Sequence, residues 1–304
     1  MSATGTWAVV VNWNGGEENL ECIRSLLGQD LPPERLVFID NASTDRSREA
    51  VEERFDDLRL IVNDENLGFG RGVNQGIELA LGEGAERVML LNNDAVLPAG
   101  TLARLEEALA EEGLGIVGPR ILFKQEPDVV WAAGGRMTYR QNLTALIGHR
   151  KPDGPQYQTS FDVDYVTGCA MLVRREVFEE VGLFDSDYFA YHEDVEFCMK
   201  AREKGWRVRT IGEVSALHSA HVATGGGYNP HRKYMMGVNT IWFLRRHGTP
   251  ARWLSFIVFD VLSLPFVWLT HAFRGEGSAV IAKARGMLDG LRGKRITEKT
   301  LRTL

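Results

Sequence analysis

From Trp7 to Phe123 the chain alternates between short apolar runs and amphipathic runs of helical period. The apolar runs are WAVVVNW, RLVFID, LRLIVN, RVMLLNND and GIVGPRILF; between them lie EENLECIRSLLGQ, STDRSREAVEERF, GRGVNQGIELALG and AGTLARLEEALAEE. A strand without polar alternation is covered on both faces, and a crossover between parallel strands is usually a helix. The pattern therefore predicts an α/β fold, Rossmann-like, with a mostly parallel central sheet and helices on both faces. In such sheets ligands gather beyond the carboxyl ends of the strands. Three of these strands end in polar residues that add nothing to a core: Asn12/Asn14, Asp40/Asn41 and Asn92/Asp94. Their coincidence at one sheet edge predicts a binding site.

The remainder is organised around this unit. Residues 120–165 are less regular and read as loops with short strands. YVTGCAMLVRREVF returns to strand then helix, HEDVEFCMKAREKG reads as a helix stopped by Gly205, and WRVRTIG as a strand. A Gly-rich loop, 219–230, precedes the helical run HRKYMMGVNTIWFLRRHG. A length of 304 residues suits one large α/β domain with appendages. We expect a catalytic domain over 1–230, its nucleotide-binding half about 1–120 and its acceptor half about 121–230, and a C-terminal helical extension over 231–304.

The net charge of −6 does not favour nucleic acid as a partner. The charge is uneven: residues 274–304 carry eight basic and three acidic side chains, +5, leaving −11 for the rest. A basic tail behind an acidic body points to an anionic surface. Cys22, Cys169 and Cys198 form no CxxC pair, which suits buried thiols in a reducing compartment. The start, MSATGTWAVVVNW, lacks a basic leader region and reads as the first strand.

Each motif admits a functional and a structural reading. Asn92-Asn93-Asp94 follows an apolar strand, and alternation would point Asn92 and Asp94 to one side, an oxygen pair suited to a hard divalent ion. The same tripeptide fits an Asx-type turn. In FIDNASTD, Asp40 could accept from a base or ribose, while Ser43 and Thr44 are good helix caps. NLGFGRGVNQG fails the dinucleotide fingerprint, since the third position falls on Gln75 or Val73, but Arg71 could still approach phosphates. Glu193 and Asp194 suit a helix dipole without any function, or supply a general base. His218 and His221 lack partners at zinc spacing; one His with an Asp and a diphosphate suits Mn²⁺ or Mg²⁺.

The ordered set VVVNWNG, FIDNASTD, NLGFGRGVN, LNNDAVL, TGCAMLVRREVFEEVGLFDSDYFAYHEDVEFCMKAREKGW and ALHSAH, over roughly residues 6–221, resembles the family-2 inverting glycosyltransferases of the GT-A fold, most closely their bacterial rhamnosyltransferase-like branch. The resemblance implies a sugar moved, with inversion, from a nucleoside-diphosphate sugar to a hydroxyl of a glycan or lipid-linked acceptor, with dTDP-rhamnose or a UDP-sugar favoured as donor. It implies nucleotide-sugar contacts at Val11, Asn12, Asn14, Asp40, Arg71, Asn92, Asn93 and Asp94. Asp94 and His218 would hold Mn²⁺ or Mg²⁺, Asp194 would be the catalytic base, and His192 and Glu193 would face the acceptor. The family's acidic DxD is here Asn92-x-Asp94, and its usual Arg-Asn pair is replaced in Gly237-Val238-Asn239. A sugar-nucleotidyltransferase is disfavoured, because NWNGGEEN has no basic residue; a non-catalytic, membrane-associated nucleotide-sugar binder would not need Asp194.

WLSFIVFDVLSLPFVWLTHAF, Trp253 to Phe273, is 21 residues with one acid, Asp260, and one proline, Pro265. As a helix it would reach ~31 Å, about the hydrocarbon thickness of a bilayer. Both flanks are basic and Asp260 is central, which opposes a single span. We expect an interfacial helix or bent pair on the cytoplasmic leaflet, making the protein cytoplasmic and peripheral on the inner face of the cell membrane; a packed or homo-oligomer-forming helix is the alternative.

Overall fold

The computed structural model describes residues 5–220 and 228–302. The chain runs β1 (Thr6–Asn12), α1 (Glu18–Leu27), β2 (Leu36–Asp40), α2 (Ser47–Glu52), β3 (Arg59–Val62), α3 (Phe69–Gly82), β4 (Arg87–Leu91), β5 (Ala95–Val96), α4 (Thr101–Leu109) and β6 (Leu114–Phe123). Strands β1 to β4 form a wholly parallel half-sheet in the order β3-β2-β1-β4. Its alternation is two-sided: Trp7 and Val9, Val37 and Ile39, and Val88 and Leu90 enter one core, while Ala8 and Val10, Leu36 and Phe38, and Met89 and Leu91 enter the other. Helix α3 covers the first core with Val73, Ile77 and Ala80; α1 and α4 cover the second with Ile23, Leu26, Leu102 and Leu105. Strands β1, β2 and β4 are covered on both faces, as their unbroken apolar runs require; β3, expected to be covered likewise, is the edge strand and leaves Leu60 and Val62 exposed.

Residues 120–165 contain β7 (Glu126–Ala132), the hairpin β8 (Gly135–Met137) and β9 (Thr144–Leu146), and the short β10 (Lys151–Pro152) and β11 (Phe161–Asp162). Next come β12 (Ala170–Arg174), α5 (Arg175–Val181), α6 (Glu193–Glu203) and β13 (Arg207–His218). The sheet becomes mixed here. Strand β12 inserts antiparallel between β4 and β6, and β13 runs parallel to β6 along its length. The second helix starts at Ser47, later than its Ser/Thr/Asp run suggests. Ser43 is instead a partner of the Asn14 amide and the Asn12 side chain, and Asp45 accepts from the Ser47 amide.

Helix α7 (Pro230–His247) is part of the body. Ile241, Phe243 and Leu244 enter the first core, and Tyr234, Val238 and Trp242 pack on Tyr188 and Phe189. Helix α10 (Gly277–Leu291) lies along it at backbone contact: a Cβ on Gly286 would sit 2.2 Å from the Tyr234 carbonyl oxygen. Between them, α8 (Pro250–Phe256), a π-helical stretch (Ile257–Val261) and α9 (Leu264–Ala272) make one apolar run, and α11 (Glu298–Leu301) closes the described chain. That run, Pro250–Ala272, is long and apolar enough to cross a membrane by length and composition, and little of it is buried. Leu262 is 68% exposed and Phe266 70%, whereas Asp260 is buried and ion-paired with buried Lys283 of α10. Phe256 enters the first core, with Trp253 and Leu264 against it, but most of the large apolar side chains face outward while the single acid faces protein.

Candidate active site

Beyond the carboxyl ends of the parallel strands lies a cavity of about 820 Å³, within the range of small-molecule sites. One wall carries Asn92, Asn93 and Asp94, which form a turn between β4 and β5: the Ala95 amide donates to the Asn92 carbonyl at 3.0 Å. The three residues thus leave the strand before alternation could align Asn92 with Asp94. Two-residue β5 then decides the geometry. It pairs antiparallel with the end of β13, Ala95 opposite His218, and the Ser219 amide donates to the Asp94 carbonyl at 3.0 Å. This register sets His218 Nε2 3.1 Å from Asp94 Oδ1, both groups buried. Burial opposes a charged imidazole, but neighbouring Cys169 and Asp94 outweigh it and raise His218 to about 10. The ring of Trp131 meets His218 edge-on at 4.6 Å. His221 lies outside the described residues.

Once His218 gives up the proton it shares with Asp94, an imidazole nitrogen and a carboxylate oxygen stand at one buried point, open to a cavity, as a donor pair suited to Mn²⁺ or Mg²⁺, with remaining positions left to a diphosphate and water. Among the described residues no third His, Cys, Asp or Glu joins them as a metal cluster.

Asp194 opens onto the same cavity from the first turn of α6. Its Oδ2 accepts from the Gly168 amide at 3.0 Å and its Oδ1 from the Val195 amide at 2.8 Å. Burial raises its pKa against these two hydrogen bonds. Glu193, beside it, is raised well above the ordinary carboxylate value, by burial and then by the charge of Asp194, and its Oε2 has no hydrogen-bond partner. The proton of the pair therefore belongs on Glu193 and the charge on Asp194, because Asp194 has the Gly168 and Val195 amides to hold an anion, whereas Glu193 has its own amide alone.

This distribution has a consequence for stability. A carboxyl whose pKa is raised by folding binds more protons in the native state, so its contribution is lost as pH rises above the unfolded value near 4.5. Glu193→Gln keeps the shape and removes the titration. It should raise the melting temperature relative to wild type by more at pH 8 than at pH 5. An equal difference at both pH values would show that Glu193 is not a buried acid.

The loop before α6 is strained: Tyr191 and His192 have φ of 73° and 75°, a conformation costing on the order of 1 kcal/mol or more per non-glycine residue. Asn239 of α7 holds it, its Nδ2 donating to the carbonyls of Ala190 and Tyr191 at 2.8 and 2.7 Å. The ring of His192 adds a bond, Nε2 donating to the Asn142 carbonyl at 3.2 Å; burial lowers His192 to about 4 and keeps it neutral. Asn239 thus positions the segment bearing Asp194 from 45 residues away in the chain, which no local pattern reveals.

Val11 and Asn14 line the cavity, with Trp13, Asn41 and Thr44. Asn12 and Asp40 do not. Asn12 is a fully buried hub: its Nδ2 reaches Asp40 and Ser47, each at 2.8 Å, and its Oδ1 accepts from Gly15, Asn19 and Asn93. Asp40 Oδ2 accepts from the Ser43 amide at 3.1 Å, so both residues tie the loops together behind the wall. Arg71 is exposed on α3, its Nε donating to the Ser186 carbonyl, and does not line the cavity. The glycines before it serve packing. Gly68, at φ +82°, lets the chain pass where a Cβ would lie 2.3 Å from the Phe189 carbonyl oxygen. Thr44, expected as a helix cap, lines the cavity together with Trp13, and so do Trp131 and Cys169, which no motif had marked.

Residues 7–182 match the family model described as Glycosyl transferase family 2. The chain is 28% identical over 272 residues to an N-acetylglucosaminyl-diphospho-decaprenol L-rhamnosyltransferase of Mycobacterium tuberculosis, covering 81% of this chain and 87% of that one. It is 23% identical to a dTDP-rhamnosyl transferase of Shigella flexneri, over 94% of this chain and 95% of the relative. A mannosyltransferase from Pyrobaculum calidifontis, solved with GDP-Man and Mn²⁺, shares the GT-A fold with a TM-score of 0.58 and 18% identity, over 96% of this chain and 88% of that one. With the family model matching more than half of its length, this chain belongs to glycosyl transferase family 2 and is a rhamnosyltransferase-like glycosyltransferase.

Proposed function

We propose that the protein transfers a sugar, with dTDP-rhamnose or a UDP-sugar as the favoured donor, to a hydroxyl of a glycan or lipid-linked acceptor, with inversion at C1. The observation that carries this reading is one cavity lined by Asp94 and His218 on one side and Asp194 on another. The rhamnosyltransferase names of two relatives favour rhamnose. In this reading Val11, Trp13, Asn14 and Thr44 take the nucleoside. Asp194 removes the proton of the acceptor hydroxyl; the oxygen bonds to C1 as the bond from C1 to the diphosphate breaks; the nucleoside diphosphate departs with the electron pair. Mn²⁺ or Mg²⁺ bound at Asp94 and His218 would supply positive charge against that leaving group. His192 and Glu193 shape the acceptor side.

The test is a donor screen in Mn²⁺, with transfer to an acceptor glycoside followed by mass spectrometry and the anomeric configuration read by NMR. A stable shift with dTDP- or UDP-sugars and an inverted product are expected. Retention at C1 would overturn the mechanism.

We propose further that the outward face of α8–α9 lies in an anionic membrane surface. Arg140 sits 5.0 Å from the Phe259 ring, and exposed Arg274 follows α9, so cations border the apolar face. Spanning the bilayer would break the Asp260–Lys283 pair and drag an acid into hydrocarbon, whereas lying flat keeps it. Leu262→Glu with Phe266→Glu should reduce binding to phosphatidylglycerol vesicles by at least about tenfold, since two large side chains bury at about 25 cal/mol per Å². Wild-type binding should weaken with salt. Unchanged vesicle binding in the double variant would assign the face to another partner.

A further inference from the structure

A second cavity, of about 240 Å³, lies among α7, α9, α10 and the 141–142 turn; Asn142 lines both this cavity and the main one. Leu264, Phe266 and Val267 of the outward-facing apolar helix form one side, and Tyr228, Lys233, Asp260, His271 and Lys283 form its polar side. The charges in it are unevenly matched. Lys283 pairs with Asp260, and His271 Nδ1 lies 2.7 Å from Glu276 Oε2. Lys233 has no ion pair among the described residues; its ammonium stands 4.1 Å from the Tyr228 ring centroid. Burial, with Lys283 and Arg232 nearby, lowers Lys233 to about 8. Asp260 and Glu276 offset this in part, but each is already paired with another cation; a half-buried cation that faces a polar cavity without an ion pair of its own favours a multiply charged anion.

The location narrows the anion. The cavity touches the proposed lipid-facing helix on one side. On the other, Asn142 links it to the catalytic segment: its amide donates to Asp260 Oδ2 at 3.1 Å and its carbonyl accepts from His192, two residues before Asp194. An anion here would sit between a membrane lipid and the base. We propose that this cavity holds the diphosphate of a lipid-linked sugar acceptor, with the lipid along α9 and the sugar directed past Asn142 toward Asp194. The proposal rests on the glycosyl-transfer reading and assigns Lys233 as the residue that selects a phosphate-bearing acceptor.

The experiment measures binding of farnesyl diphosphate, farnesol and inorganic pyrophosphate to the full chain in neutral detergent. EDTA and saturating nucleoside diphosphate keep the probes from the donor site. Farnesyl diphosphate should bind wild type and Lys233→Arg, and should lose at least about tenfold in affinity in Lys233→Met, whose melting temperature reports folding. Farnesol should not distinguish the variants. Farnesyl diphosphate binding that ignores Lys233→Met would overturn the proposal. Pyrophosphate binding as tightly as farnesyl diphosphate would assign the cavity to a free anion, and displacement of farnesyl diphosphate by phosphatidylglycerol vesicles would assign it to lipid headgroups; either overturns the acceptor reading. In transfer assays, Lys233→Met should raise KM for a prenyl-diphosphate-linked acceptor and leave kcat/KM for a phosphate-free glycoside unchanged. Loss of transfer to the phosphate-free glycoside in wild type would instead fault the glycosyl-transfer reading itself.

Discussion

Asp194→Asn is expected to bind donor as wild type does and to turn over about 10²-fold more slowly or worse, the range for loss of a general base. The substitution is close to isosteric and keeps one of the two acceptor oxygens that meet the Gly168 and Val195 amides. The pH profile adds a check that a merely structural residue would not move. The base must be ionised, and burial raises its pKa. Wild-type activity should therefore be present at high pH and fall as pH drops through a value above the ordinary carboxylate range. The residual rate of the variant should lack that acid limb. Turnover near wild type, or an acid limb that persists in the variant, would remove Asp194 from the mechanism.

Asp94→Ala carries the second large effect. If Asp94 and His218 hold a divalent ion that meets the donor diphosphate, binding of a nucleoside diphosphate in Mn²⁺ should weaken by at least about tenfold. Turnover should drop by about 10²-fold or more, the scale for loss of leaving-group stabilisation. In EDTA, wild type and variant should bind the nucleotide alike, and wild-type turnover should collapse toward that of the variant. An equal loss in Mn²⁺ and in EDTA would make Asp94 a turn residue, the other role its tripeptide allows. The contact between His218 and Asp94 makes His218→Ala a companion variant with the same expected split.

The extended apolar runs determined, without any tertiary information, that β1, β2, β4 and β6 are strands buried on both faces. Period-2 and period-3.6 patterns are local properties of burial, and each strand of the parallel half is long enough to show them. The ends of those strands also marked the site edge, since polar residues after an apolar run have no place in a core. Which of those polar side chains line the cavity was decided elsewhere. Asn12 and Asp40 look equivalent to Asn14 and Asp94 in sequence, yet they turn inward to bind three loops to one another, because a buried junction of loops needs its own hydrogen-bond partners. The pairing of Asp94 with His218 depends on the β5–β13 register, between residues more than a hundred positions apart. The strained turn ahead of Asp194 depends on Asn239, from a helix that the sequence alone assigns to the C-terminal extension. Composition likewise flagged the 253–273 segment as needing cover, but only tertiary packing turned Asp260 inward to Lys283 and left the apolar side outward. Helical period does not say which face of a nearly all-apolar helix is inside; a single buried ion pair does.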